Sequence, residues 1–410
     1  LTARYEQVAG DPRLITSGPR FDACSDDFGH IVHHEPDAVV GAESVADVID
    51  AVRYARAHNL EVVPRGAGHS TAGQAQSAGG VVIDMRGLDG VHTVEPGRAV
   101  VDGGTRWSTV TGAALERGQT PPVLTDYIEL TVGGTLSVGG LSGTSHRYGA
   151  QTDNVDELDV VTSAGDLVTC SRTENRQLFD DVRAGRGRRG IITRATLTLI
   201  PAPVSVRVYH VYYHDLALFL REQLWLMTSG AADYIEGHAR PNDQGSWWHR
   251  IEAAFNYTST ALPNDEIIKR LSSDEVEVED IDYWSFVRRL ADGETALRST
   301  GHWLDPHPWT NCFIPESQAE QAIGEIMDTL SPDNMIDFET VLHYPVPRNA
   351  IATPRLSLPA APNSYLFAVL RTASPGHTLS VPDMLASKKT IELIAQQHGG
   401  TAYLGSITQP

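Results

Sequence analysis

The sequence predicts an α+β fold in two parts: an α/β first half, then a second half built on an antiparallel sheet flanked by helices. Three observations carry this. Up to about residue 200, short apolar runs alternate with helical patterns and glycine turns. From Val204 the texture changes to mixed aromatic and apolar strands such as Val206-Arg-Val-Tyr-His-Val-Tyr-Tyr213, followed by helical patterns. Between the two, Pro201 and Pro203 close a strand, which puts the domain boundary at 203/204.

In chain order, residues 1–30 read as an irregular start ending in Cys24-Ser-Asp-Asp-Phe-Gly29, followed by Ala38-Val-Val. Ser44 can cap a helix through Val45, Val48, Ile49, Val52 and Tyr54, which are apolar at helical spacing. A strand at 60–63 leads into Pro64-Arg-Gly-Ala-Gly-His-Ser70. Residues 79–84 and 99–104 read as further strands and 107–118 as a helix. The run 131–143 is richer in glycine than a strand or helix interior tolerates, so its backbone must approach something closely. Residues 154–162 and 167–170 suggest a hairpin around Ala164-Gly165, and 190–200 a strand. The acidic stretch 275–282 reads as a solvated face.

With 410 residues, 41% hydrophobic and 20% charged, the chain is globular and long enough for two or three domains. No apolar run has the roughly 18 residues of a membrane span. A formal net charge of -20 repels nucleic-acid phosphates and anionic lipid, so neither is expected as a partner. Lys269, Lys388 and Lys389 are the only lysines; the arginine-dominated basic set, with abundant Ala, Gly and Asp, suggests a GC-rich genome. Cys24, Cys170 and Cys312 lack metal-site spacing and are odd in number, so neither a metal site nor a disulfide framework is expected. With no signal-like run, a cytoplasmic location is expected, although a removed leader would leave the same start.

The stretch 64–74 is the functional focus. Two glycines one residue apart open φ values closed to other residues and let main-chain N–H groups reach a phosphate. Such a loop can grip a dinucleotide, with His69 beside it. A dinucleotide-binding Rossmann fingerprint needs a third glycine where Thr71 stands; a P-loop needs a lysine; a nucleophile elbow needs glycine where Ala72 stands. A tight turn with a surface histidine fits the same residues.

Taken together, Arg65-Gly-Ala-Gly-His-Ser-x-x-Gly-Gln74, Gly79-Gly-Val-Val-Ile-Asp-Met85, Thr125-Asp-Tyr-x-x-Leu-Thr-Val-Gly-Gly-Thr-Leu-Ser137 and Gly190-Ile-Ile-Thr-Arg-Ala195 resemble the FAD-binding half of vanillyl-alcohol-oxidase (PCMH-type) flavoproteins. Asp233-Tyr-Ile-Glu-Gly237, Ile251-Glu-Ala-Ala-Phe-Asn-Tyr257, Pro306-His-Pro-Trp-Thr-Asn311 and His343-Tyr-Pro345 narrow the likeness to cytokinin dehydrogenases, in a bacterial form. The resemblance implies a PCMH-type FAD-binding domain of two α/β subdomains over 1–203, a substrate-binding cap over 204–385, and at 386–410 the start of a segment returning to the first domain.

It also implies roles for individual residues. His69 would bond covalently to FAD, and with no Cys in 141–149 that link would be single. Gly66, Ala67, Gly68, Ser70 and Gln74 would hold the pyrophosphate side, with Thr131, Ser137, Leu141 and Ile192 as further FAD contacts. Asp126, close to both cofactor and substrate, and Glu236 are the implied catalytic carboxylates. Asp126 would accept a hydrogen bond from the substrate amine and Glu236 one from the purine, while Trp309, Asn311 and Tyr344 line the pocket. Asp126 also reads as a turn cap, Glu236 as a strand-end acid and Trp309 as a core aromatic.

The implied reaction oxidises an N6-substituted adenine, hydride passing to flavin N5 and the imine hydrolysing to adenine and an aldehyde, with a quinone or oxygen as final acceptor. An oxidase of a secondary metabolite on the same fold, or a flavin- or ligand-binding protein without turnover, are the rival readings. The family's neutral glycine loop is replaced at 184–190 by one carrying Arg186, Arg188 and Arg189, expected to sit in solvent.

Overall fold

The computed structural model describes residues 14–258, 262–263, 265–336 and 339–403. Residues 1–13 of the expected irregular start and 404–410 of the expected returning segment lie outside the described residues. The chain divides into two compact units. Described residues up to Gly140, with Gln151–Pro201 and Thr353–Arg355, form the first; Leu141–Ala150, Ala202–Ala352 and those from Leu356 onward form the second.

In the first unit, helix α1 (Pro19–Cys24) forms inside the stretch read as irregular. It opens with a proline and buries only Cys24, so it carries no periodic signal. Strands β1 (Ala38–Gly41), β2 (Val62–Arg65) and β3 (Val81–Asp84) make a parallel sheet in the order β1-β3-β2, with β3 buried throughout. Helix α2 (Val45–Ala57) joins β1 to β2 and packs Val48, Ala51, Val52 and Ala55 against them, its start closed by a capping box between Ser44 and Asp47.

The next strands are β4 (Val91–Glu95), β5 (Arg98–Asp102), β6 (Gln119–Thr120), β7 (Val155–Val161), β8 (Leu167–Ser171), β9 (Ile191–Thr198) and β10 (Ile200–Pro201). Five of them form an antiparallel sheet, β4-β5-β9-β7-β8, and β6 pairs with β10. Helices α3 (Trp107–Leu115), α4 (Val132–Leu136) and α5 (Arg176–Val182) accompany them. The hairpin β7–β8 turns at Gly165, where φ is +80°.

Helix α4 corrects the expectation that the glycine-dense run excludes a helix. Gly133 donates its N–H to the Gly103 carbonyl at 2.7 Å, and a Cβ on Gly133 would come within 2.9 Å of that oxygen. Close seating on the sheet edge is what the glycines permit. The arginine loop then packs on the far end of α4. Ala184 N donates to Leu136 O at 2.9 Å and Arg186 N to Ser137 O at 2.8 Å, while Arg186, Arg188 and Arg189 are exposed.

The second unit holds β11 (Ser205–Tyr213), β12 (Tyr234–Pro241), β13 (Trp247–Tyr257), β14 (Glu275–Asp282), β15 (Thr310–Pro315), β16 (Thr340–Pro347), β17 (Asn363–Leu370) and β18 (Thr401–Ala402). They form one eight-stranded antiparallel sheet, β14-β11-β13-β12-β16-β17-β15-β18. Helices α6 (Leu216–Ser229), α7 (Tyr283–Val287), α8 (Ala291–Thr300), α9 (Glu316–Thr329) and α10 (Val381–Gln397) accompany it, as does the single helical turn Ser145–Tyr148, with α6, α9 and α10 covering one sheet face over the main core. The acidic stretch is solvent-exposed, as expected, and forms the edge strand β14, paired with β11 along Ser205–Tyr212, where its charges keep that edge in water. Helix α10 runs through the division drawn at 385/386, because Ser380 and Asp383 close a capping box at its start.

Among the described residues no helix is long and apolar enough to cross a membrane, and no group of three or more His, Cys, Asp or Glu is placed to hold a metal ion. The three cysteines are buried and unbridged.

Two histidines sit in the helix-covered core. His249 and His343 lie 5.8 Å apart beside Phe219, and burial lowers the His249 pKa from 6.5 to about 4 and holds that of His343 well below 6.5. The unfolded chain takes up these protons near pH 6.5 and the folded one does not, so the stability they contribute is complete above about 6.5 and is lost as pH falls towards 4. Guanidinium unfolding should have a lower midpoint at pH 5.0 than at pH 7.5, with His249 accounting for roughly 2 kcal/mol. His249→Phe should shrink that difference; an unchanged difference would overturn the assignment.

Candidate functional site

Loop 66–73 leaves the C-terminal end of β2, where Arg65 stands in register with Asp84 of β3. Both side chains are buried. Burial alone would raise the Asp84 carboxyl, but hydrogen bonds from Arg86 and Arg20 outweigh it and hold the pKa down to about 2. Arg65 runs beneath the loop. Its Nη1 donates to the Asp26 carbonyl at 2.5 Å, and a Cβ on Gly68 would come within 2.1 Å of its Nη2. Gly68 also has φ +70°, so the position needs glycine for space and for backbone.

Asp27 holds the other side of the loop. Its buried carboxylate accepts from Ser70 Oγ at 2.9 Å, Gly73 N at 2.7 Å and Gly29 N at 3.1 Å. The backbone adds two more bonds, Phe28 N to Gly68 O at 2.9 Å and Gly29 N to Ser70 O at 3.0 Å. Burial raises the Asp27 carboxyl above its usual range, and those hydrogen bonds pull it back only in part. Sequence reasoning missed this residue. The run Asp26-Asp-Phe-Gly29 is visible, but nothing local links it to a loop more than 40 positions on.

His69 lies between two rings. Phe28 stacks on it at 3.9 Å and 22°, and Tyr127 lies 4.9 Å away at 30°. Asp126, half-buried, is therefore one residue from a ring packed on His69. It does not cap α4, whose N-cap is Thr131. Thr131 is buried against the loop: a Cβ on Gly66 would come within 1.9 Å of its Oγ1. Among the described residues that hydroxyl has no hydrogen-bond partner. Nor, among the described residues, does any protein acceptor take the N–H groups of Ala67, Gly68 and Ser70. Adjacent N–H donors on a glycine loop at the end of a parallel strand suit an anion such as a dinucleotide's pyrophosphate.

The remaining expected cofactor contacts divide. Gln74 is exposed, and its Oε1 accepts from Ala72 N at 3.0 Å within the loop's own turn. The buried amide is Gln76, which donates to Val32 O and accepts from His34 N, both at 2.9 Å. Ser137 ends α4 with its Oγ donating to Gly133 O at 2.7 Å, and Ile192 is buried on β9. Leu141 is buried in the second unit.

In the second unit the register puts Glu236 of β12, Tyr344 of β16 and Asn311 of β15 on the sheet face opposite the helices. Glu236 is fully buried and Tyr344 nearly so. Asn311 and Trp309 are half-buried; the carbonyl of Trp309 accepts from Lys388 Nζ at 2.7 Å. Directly across from Glu236 stands Glu252, also buried. Arg289 reaches both, at 3.2 Å to Glu252 and 3.8 Å to Glu236. His238 lies 3.9 Å from Glu236, and burial lowers its pKa to about 3, so it is neutral. Glu252 and Arg289 were also missed from sequence, since their charges meet only through strand register and the turn after α7.

Comparison with known proteins fits both units. A family described as FAD binding domain matches residues 36–171, and one described as Cytokinin dehydrogenase 1, FAD and cytokinin binding, matches 240–408. An uncharacterized oxidoreductase of the fasciation locus of Rhodococcoides fascians is 44% identical over 92% of this chain and 86% of its own length. Cytokinin dehydrogenase 6 of Oryza sativa subsp. japonica is 37% identical over 79% of this chain and 71% of its own. The crystal structure of 6-hydroxy-D-nicotine oxidase from Arthrobacter nicotinovorans shares the fold, with a TM-score of 0.73, 20% identity and coverage of 95% of this chain and 86% of that one.

FAD binding should therefore depend on the seat of the loop. Gly66→Ala should strip FAD from the purified protein, read as the ratio of flavin to protein absorbance, while far-UV circular dichroism stays unchanged. Adding Thr131→Ala removes the hydroxyl in the way and should restore part of the flavin. Full flavin loading in the single variant would mean that Gly66 has no such role.

Proposed function

Because this chain belongs to the cytokinin dehydrogenase family of FAD-dependent oxidoreductases, we propose that it oxidises N6-substituted adenines at the side-chain carbon next to nitrogen, giving an imine that hydrolyses to adenine and an aldehyde. The observation that carries the reading is Glu236, a carboxylate with no exposure on the sheet face opposite the helices, directly across from a second buried acid, Glu252. A buried carboxylate can accept a hydrogen bond from the ring N–H of a heterocycle, and that is the contact this reading gives Glu236. FAD, held by the 66–70 loop and Thr131, supplies the two-electron oxidant. Asp126 accepts the hydrogen bond of the substrate amine, which orients the reacting carbon and relieves positive charge growing on nitrogen. Trp309, Asn311 and Tyr344 bound the side-chain pocket, and a quinone or oxygen takes the electrons onward.

His69 forms the single covalent link to FAD in this proposal. Its ring is clamped by Phe28 and Tyr127 rather than turned into solvent, which supports a fixed attachment. The flavin should stay with acid-precipitated protein, and mass spectrometry should find it on the peptide containing His69. Release of all flavin on precipitation would exclude the bond.

Isopentenyladenine should bleach the flavin anaerobically, and Asp126→Ala should slow that bleaching roughly 10²- to 10⁴-fold without loss of flavin. Bleaching by other amines or alcohols, with none by isopentenyladenine, would move the reading to a different substrate on the same fold.

A further inference from the structure

Glu236 and Glu252 face each other across β12 and β13, and both are out of water. Two like charges directly opposite on a sheet repel, and a buried carboxylate needs compensation. Glu252 takes Arg289 Nε at 3.2 Å, Arg250 Nη2 at 3.5 Å and His210 Nε2 at 3.5 Å. The contacts of Glu236 include Arg289 Nη2 at 3.8 Å and neutral His238 at 3.9 Å. Arg289 itself is fixed on several sides: it donates to Tyr234 Oη and to the Phe286 carbonyl, and its guanidinium lies 5.0 Å from the Tyr234 ring centre and 4.9 Å from that of Phe286. Tyr234 and Phe286 in turn pack edge to face at 5.1 Å. The guanidinium fork is thus a rigid part whose shorter ion pair goes to Glu252, with its Nη2 edge turned to Glu236.

We propose that Arg289, anchored by Glu252, is a positioning residue that holds the Glu236 carboxylate oriented for a ring N–H of the substrate's heterocycle. The inference rests on the N6-adenine reading above. It makes Arg289 a determinant of selectivity between bases that carry a ring N–H and those that do not. A lysine could supply the charge but not the fork that spans two carboxylates.

The test uses the flavin-loaded full chain and two probes, adenine and 9-methyladenine, the second lacking the ring N–H. Equilibrium binding should favour adenine in the wild type. In Arg289→Met the affinity for adenine should fall roughly 10- to 100-fold, that for 9-methyladenine should change little, and Arg289→Lys should recover part of the loss. With isopentenyladenine, KM should rise in parallel while kcat changes less than about threefold, the mark of a lost ground-state contact. Equal losses for both probes, or none for either, would overturn the role of Arg289. If the wild type binds adenine but isopentenyladenine never bleaches its flavin, the reaction is wrong while the Arg289 contact stands. If the wild type binds neither base, both fail. Glu252→Gln, which keeps the shape and removes the anchor's charge, should show the same selectivity change as Arg289→Met; an unaltered preference there would also overturn the proposal.

Discussion

Charge withdrawn from water sets the terms in both units. In the first, Asp27, Arg65 and Asp84 are buried around the glycine loop; in the second, Glu236 and Glu252 are buried on one sheet face. An ionised group in such a place is tolerated only where donors or opposite charges converge on it, so each one dictates the arrangement of several neighbours. The loop keeps its shape because the Asp27 carboxylate accepts three hydrogen bonds and Arg65 fills the space beneath. The sheet face keeps two facing acids because one guanidinium reaches both.

These constraints link stability to function in the same atoms. A group such as Asp27 stiffens the loop that presents its N–H groups, and a group such as Glu252 pairs with a cation that also reaches Glu236. Neither needs to touch a ligand to matter. Their removal would act through the geometry of others, which is why effects on affinity and on turnover separate the roles better than overall activity does.

Much of the local structure was legible. The Ser44–Asp47 box, the turn at Gly165 and the aromatic strand β11 each rest on contacts within a few residues or on simple alternation. Helix α4 was not legible, because glycines at 133 and 134 argue against a helix until the Gly103 carbonyl beside them is known. Strand β14 was hidden for a similar reason: its acidic residues mark solvent on both faces, and only pairing with β11 makes the segment extended. Gln74 and Gln76 show the limit at the site, where two amides two residues apart differ in burial and the buried one was not singled out.

The amino-acid order alone determined the periodicities, the caps, the glycine loop with its histidine and the motifs that mark the family, since each of these is written in residues adjacent or a few places apart. Only the tertiary structure decided which buried charges meet. Asp27 reaches the loop through a separation of 43 to 46 positions, and Glu236, Glu252 and Arg289 come together through strand register and the turn after α7. Coulomb and hydrogen-bond terms act over a few ångströms of space and take no account of distance along the chain.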